Sequence, residues 1–202
     1  PKEERDAAQI LSDAFARDGI EVRLNTKAVN VRVEHGLKLV DLVSEDYHST
    51  VLVDAILTGT GRMPNVEGLN LETAGVDCEA ATGVRVNDFL QTSNPRIYAA
   101  GDACLEHKFT HTADASARIV VRNALFPGRE KLSALTIPWC TYTDPEIAHV
   151  GLYVRQAHEC DIPVKTFTIP MHDVDRAITD SEETGFVKVH VKERTDRIVG
   201  AT

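Results

Sequence analysis

The stretch that decides the fold runs from Arg96 to Phe126: RIYAAGDACLEHKFTHTADASARIVVRNALF. Ile97, Tyr98, Ala99 and Ala100 form a short, nearly continuous apolar run, as expected of a strand covered on both faces. The run stops at Gly101-Asp102, and a polar loop follows. From Ala113 to Phe126, Ala113, Ala117, Val120, Val121, Ala124 and Leu125 recur as one helical stripe, while Asp114, Arg118 and Arg122 form an i, i+4 row on the opposite face. A strand that ends in Gly-Asp ahead of a helix reads as the carboxyl edge of an α/β sheet, where small ligands bind in such folds.

Gly101 lets a ligand approach the backbone closely, and the Asp102 carboxylate can accept hydrogen bonds from vicinal hydroxyls of a sugar or polyol. The same pair also fits a strand end followed by an Asx turn. The first-turn N–H groups of the helix have no intrahelical partners and the macrodipole is positive there, so that end favours an anion or a partly negative ring oxygen. Thr110 or Thr112 also fits the role of N-cap, and His111 that of an exposed loop residue. Upstream, TGTGRMPN (58–65) has a Gly-x-Gly without a third glycine or a following helix, which is no dinucleotide fingerprint. Its Arg62 has the chemistry to reach a cofactor phosphate or to form a structural ion pair.

Working outward, 202 residues with 43% apolar and 26% charged content belong to an ordinary globular chain. A net charge of -9 argues against nonspecific binding of nucleic acid or anionic membrane, and no apolar run approaches a membrane span. The expected compartment is cytoplasmic. Cys78, Cys104, Cys140 and Cys160 match neither a metal knuckle nor a short-spaced redox pair, so buried free thiols are expected and no metal site is predicted. Both ends read as cut, as though the chain were a piece of a longer protein.

Glu3 to Arg17 has helical spacing with Gly19 as a cap. Ile20, Val22 and Leu24 alternate as a strand. Val29, Val31 and Val33, then LKLVDLV and TVLVDAILT, predict an antiparallel meander turned at His35-Gly36. GVRVND and RIYAAGD are two further predicted strands. Beyond Ile137, IPWCTYT and VKTFTIP predict strands, LYVRQAHECD a short helix, and GFVKVHVKERTDRIVGAT a hairpin closed near Arg194–Asp196, together an α+β unit.

Four blocks carry a resemblance: ILTGTGRMPNVEGLNLETAGV, GVRVNDFLQTSNPRIYAAGDA, FTHTADASARIVVRNALF and IPWCTYTDPEIAHVGL. In order and spacing they resemble the pyridine nucleotide-disulfide oxidoreductases, the family of glutathione reductase, dihydrolipoamide dehydrogenase and mercuric reductase. The wording of the last two blocks is similar to mercuric reductase-like members. The resemblance implies an α/β and α+β fold: part of an FAD/NAD(P) nucleotide-binding domain pair plus an α+β dimerisation domain. It apportions residues 1–58 to the tail of the NAD(P) domain, 59–135 to the second segment of the FAD domain, and 136–202 to the dimerisation domain.

By the same likeness, Asp102 holds the flavin ribityl hydroxyls and the backbone at Gly101 and Ala103 approaches the pyrophosphate. Thr110, His111 and Thr112 face the flavin ring, Arg62 sits at the domain junction, and Trp139, Thr141 and Tyr142 line the nicotinamide and disulfide side. Trp139 and Tyr142 fit equally well as interface core. The implied cofactors are FAD and NAD(P)H, and the implied partner is a second copy held through residues 136–202. Hydride would pass from NAD(P)H to FAD, and the electron pair on to a cysteine pair and an acceptor such as mercuric ion; the alternative is a dihydrolipoamide dehydrogenase-like activity on a dithiol substrate. The family's cysteine pair and its catalytic His-Glu match no residues of this chain, so no catalytic residue is assigned and the isolated stretch is expected to be inert, with weak FAD affinity. The rival reading is a non-catalytic dimerisation module.

Overall fold

The computed structural model describes residues 3–202, which divide into two compact units: the chain up to Gly59 together with Pro138–Thr202, and Thr60–Ile137. The first unit opens with helix α1 (Arg5–Arg17), whose Ala7 and Ala14, seven residues apart and so on one face, are its buried positions. Gly19, at φ 75°, turns the chain out of that helix. Strands β1 (Lys27–Glu34), β2 (Leu37–Val43) and β3 (His48–Val53) form the expected antiparallel meander, with His35 and Gly36 both at positive φ in the β1–β2 turn.

The expected strand at Ile20–Leu24 does not form. Those residues alternate, but among the described residues no neighbouring strand offers them backbone partners, and Ile20, Val22 and Leu24 are all exposed.

The second unit holds little regular sheet. Strands β4 (Cys78–Glu79) and β5 (Gly83–Val84) pair over two residues, and Ile97–Ala100 is extended but bonded as a strand only through the Gln91–Tyr98 bridge. The predicted strand is therefore present as an extended segment without a ladder. Helix α2 (Thr110–Leu125) follows, with Phe109 as its N-cap, so neither Thr110 nor Thr112 caps it. Two apolar clusters make the core: Val66, Val76 and Val84, and Leu90, Leu105 and Ile119. Val86 and Cys104 pack against both and join them.

The buried row of α2 is not the apolar stripe. Thr112, Ser116 and Ile119 are buried, whereas Val121 and Leu125 are 50% and 72% exposed. The polar members of the inner row are drawn in by hydrogen bonds to loop backbone. Ser116 bonds the Gly101 N–H, and the Asn123 amide donates to the carbonyls of Phe89 and Glu130 and accepts the Glu130 N–H.

The rest of the first unit is a five-stranded antiparallel sheet in the order β6 (Trp139–Thr141), β7 (Ile147–Gly151), β10 (Ile198–Ala201), β9 (Phe186–Lys192), β8 (Val164–Pro170), with the predicted hairpin as β9–β10. Helix α3 (Val154–Glu159) matches the predicted short helix. Helix α4 (Asp175–Asp180) had no periodic signal, being only six residues long. Even residues of β9, Lys188 and His190, are buried; odd ones carry the opposite face, where Phe167, Ile169 and Val187 are about half exposed. Among the described residues no helix is long and apolar enough to cross a membrane.

All four cysteines are free, as expected, but they are not all buried: Cys78 and Cys160 are exposed and Cys104 and Cys140 half-buried. Cys78 lies in the short β4 ladder and Cys160 at the end of α3, both edges where the chain has nothing packed over it.

Candidate functional site

Gly101, Asp102 and Ala103 form a single 3-10 turn, a tight bend that carries the chain from the extended segment toward α2. Gly101 has φ 67°, and a Cβ placed there would lie 3.1 Å from the Ala113 Cβ. A side chain would thus be both strained and crowded. The Gly101 N–H donates to the Ser116 hydroxyl at 2.9 Å, and that hydroxyl donates to the Ala113 carbonyl at 2.9 Å. The turn is in this way fixed to the first two turns of α2.

Gly83 adds a second close approach. Its φ is 86°, and a Cβ would sit 2.1 Å from the Ala103 carbonyl oxygen, so β5 passes directly against the turn.

Around this frame the polar groups are left open. The Asp102 carboxylate is exposed and has no hydrogen bond or ion pair among the described residues. No side chain caps α2, so its first-turn N–H groups and dipole remain available at that end. Thr112, in that first turn, is 1% exposed, and its Oγ1 is buried with no hydrogen-bond partner among the described residues. A buried hydroxyl left unpaired costs on the order of 1–3 kcal/mol, which a ligand acceptor would offset. His107, Phe109 and His111 stack along the loop into the helix, with centroids 6.0 and 5.3 Å apart. The Arg62 guanidinium donates to the Lys108 carbonyl at 2.5 Å, which ties the 58–65 turn to the same loop.

Gly101, Asp102, Ala103, Thr110, His111, Thr112 and Arg62 therefore gather in one unit. Trp139, Thr141 and Tyr142 belong to the other. There Trp139 and Thr141 turn toward Glu3, at 3.1 and 3.4 Å, while Tyr142 is 85% exposed.

Residues 1–117 match the family model for pyridine nucleotide-disulphide oxidoreductases, and residues 137–202 match the model for the dimerisation domain of the same group. The chain belongs to the pyridine nucleotide-disulphide oxidoreductase family. Its members are FAD- and NAD(P)H-dependent disulfide oxidoreductases.

Among the relatives of this chain, mercuric reductase of Staphylococcus aureus is 38% identical over 195 residues, covering 95% of this chain and 36% of that protein. Dihydrolipoyl dehydrogenase of Thermus scotoductus is 33% identical over 202 residues, covering 99% of this chain and 43% of that protein. Among solved structures, the HOCl-induced flavoprotein disulfide reductase RclA of Escherichia coli aligns with a TM-score of 0.87 at 27% identity, over 100% of this chain and 46% of that one. LpdA of Mycobacterium tuberculosis aligns with a TM-score of 0.90 at 29% identity, over 100% of this chain and 43% of that one. The chain thus spans between about a third and a half of the length of the relatives it matches.

Ser116 and Gly83 were not among the residues singled out in the sequence. Ser116 had one faint signal: it lies four residues after Thr112 and three before Ile119, the spacing of a helix face. Gly83 had none, because the residue it must avoid is a backbone carbonyl twenty positions away.

Proposed function

We propose that residues 60–137 supply one half of an FAD site, with Asp102 binding the ribityl hydroxyls and the N-terminus of α2 facing the flavin ring. The observation that carries the reading is the pairing of two open polar groups in one unit: an exposed Asp102 carboxylate and a buried Thr112 hydroxyl, neither with a partner among the described residues. Both have the chemistry the cofactor needs. FAD, when bound, supplies a two-electron acceptor between NAD(P)H and a disulfide. This chain's own residues bind and orient: Asp102 accepts the polyol hydroxyls, Thr112 hydrogen-bonds a buried ligand atom, and the helix end favours negative charge at the ring edge. Arg62 and the backbone at Ala103 serve the phosphate side. Trp139, Thr141 and Tyr142 would line the nicotinamide and disulfide side.

For the whole protein the reading is a mercuric reductase-like enzyme that takes hydride from NAD(P)H onto FAD and passes the electron pair to a cysteine pair and then to mercuric ion. The 38% identity to the S. aureus mercuric reductase favours it. A dihydrolipoamide dehydrogenase-like activity is the second reading, favoured by the 33% identity to the T. scotoductus enzyme across the full chain. Residues 136–202 would hold a second copy: Phe167, Ile169, Val187 and Ile198 lie on one face of β8, β9 and β10 and are 46–61% exposed, an apolar surface of the kind that pairs with another copy.

The test uses the full-length protein that carries this stretch. It should purify as a yellow dimer and oxidise NAD(P)H with either mercuric ion or a lipoamide substrate, and Asp102→Ala should strip the flavin. Purification without flavin, or undiminished flavin in Asp102→Ala, would overturn the site.

A further inference from the structure

A separate cluster of charged and titratable groups joins α1 to the five-stranded sheet within the first unit. The Lys188 ammonium, its side chain only 8% exposed, is within hydrogen-bond distance of both Glu4 and Asp6 at the start of α1. Lys188 points to the same face of β9 as His190, two residues on, which is completely buried. Glu3 adds a second grip: one oxygen accepts the Trp139 indole N–H at 3.1 Å and the other the Tyr153 hydroxyl at 2.6 Å. Beneath that grip lies His149, 2% exposed, stacked on Tyr153 at 3.6 Å and tilted against Trp139 at 4.6 Å.

Both imidazoles are buried, and the partners of each suit a neutral ring. His149 Nε2 lies 3.1 Å from the Gly151 carbonyl and so donates to it, leaving Nδ1 to accept from the Thr202 hydroxyl at 2.8 Å. His190 Nδ1 meets the Thr166 hydroxyl at 2.9 Å, and its Nε2 is buried without a partner among the described residues. A second proton on either ring would be buried, and on His190 it would also face Lys188.

We propose that Lys188, gripped by Glu4 and Asp6 over the buried imidazoles of His149 and His190, forms an acid-released latch that fastens helix α1 to the five-stranded sheet. The charges that face it are Glu3, Glu4, Arg5 and Asp6 on the α1 side, and Lys188, His190, His149 and Tyr153 on the sheet side.

Burial lowers the pKa of both His149 and His190, outweighing the attraction of Glu4 for each ring, of Glu3 for His149 and of Asp6 for His190. For Asp6, burial acts upward but the Lys188 bond and the Ala7 N–H prevail, and its pKa is lowered. For Lys188, burial acts downward but Asp6 and Glu4 prevail, and its pKa is raised. Lifting α1 removes the attraction of its carboxylates for the two rings but opens the buried face that carries them, and since burial is the larger effect both histidines, like Asp6, bind protons more readily in the open state. Acid favours the open state, first as pH falls below the ordinary histidine range and then through the carboxylate range.

Trp139 is the only tryptophan in the chain, so its emission reports the place where Glu3, His149 and Tyr153 meet its ring. Going from about pH 7.5 to about pH 5, within the histidine range, its emission should shift to the red. Amide exchange in α1, corrected for intrinsic rates, should rise about tenfold or more while the β8–β9 hairpin stays protected. Lys188→Met should show the open-state emission and exchange already at neutral pH, with sheet circular dichroism unchanged. Acid-insensitive Trp139 emission, or acid exposure of α1 and the hairpin together, would overturn the latch. So would full α1 protection in a folded Lys188→Met. If that variant does not fold, the wild-type comparison of α1 with the hairpin decides the matter by itself.

Discussion

The Ser116 hydroxyl accepts the Gly101 N–H at 2.9 Å and donates to the Ala113 carbonyl at 2.9 Å, so one fully buried side chain joins the Gly-Asp turn to the second turn of α2. This places the Asp102 carboxylate and the helix N-terminus in one rigid frame, and neither group needs ordering when a ligand arrives.

Ser116→Ala removes that bond while keeping the Cβ. The Gly101 N–H is then buried without an acceptor, a loss of about 1–3 kcal/mol. Urea unfolding should show a lower midpoint at unchanged slope. An unshifted midpoint would mean that water replaces the hydroxyl at no cost.

Gly83→Ala should be more damaging than its size suggests. The new Cβ would meet the Ala103 carbonyl oxygen at 2.1 Å in a backbone at φ 86°. Backbone must move, and the expected loss is about 3 kcal/mol or more. Reduced expression and a lowered thermal midpoint would be the readout, with a control substitution at Gly68, where a Cβ meets nothing within 4 Å, costing less.

Asp102→Asn should separate binding from folding. The carboxylate has no partner to lose among the described residues, so stability should stay within about 0.5 kcal/mol. Flavin content of the full-length protein should fall, and fall further in Asp102→Ala, because the amide retains one acceptor. Equal flavin content in all three would remove Asp102 from the site.

The four thiols should react in a fixed order. Cys78 and Cys160 are exposed and should be alkylated first. Burial pushes the Cys104 thiol up to about 11, against the opposing pull of Lys108, so it carries little thiolate near neutral pH. Cys140 is also raised, by burial and then by the nearby Glu146 and Glu3. Peptide mapping after iodoacetamide at about pH 8, below the ordinary thiol range, should find Cys104 last, and its labelling should rise as pH increases. Early labelling of Cys104 would show that the core around the Gly-Asp turn opens.

Local patterns in the sequence determined the meander of β1–β3, the β9–β10 hairpin, the span of α2 and the candidate residues around Gly101-Asp102. Each depends on periodicity, turn residues or a contiguous motif, all of which are written within a few positions. The tertiary structure decided what depends on partners far away in the chain. Ile20–Leu24 and Ile97–Ala100 alternate or run apolar like strands, yet a ladder requires a neighbour's backbone, and among the described residues they have at most one bridge. The inner face of α2 proved to be Thr112, Ser116, Ile119 and Asn123, not the alanine–valine stripe, because hydrogen bonds to Gly101, Phe89 and Glu130 outweigh what small exposed alanines would gain by burial. Lys188 meets Glu4 and Asp6 across more than 180 positions. A charge pair of that separation has no signature in one sequence, since only the fold brings its members within reach.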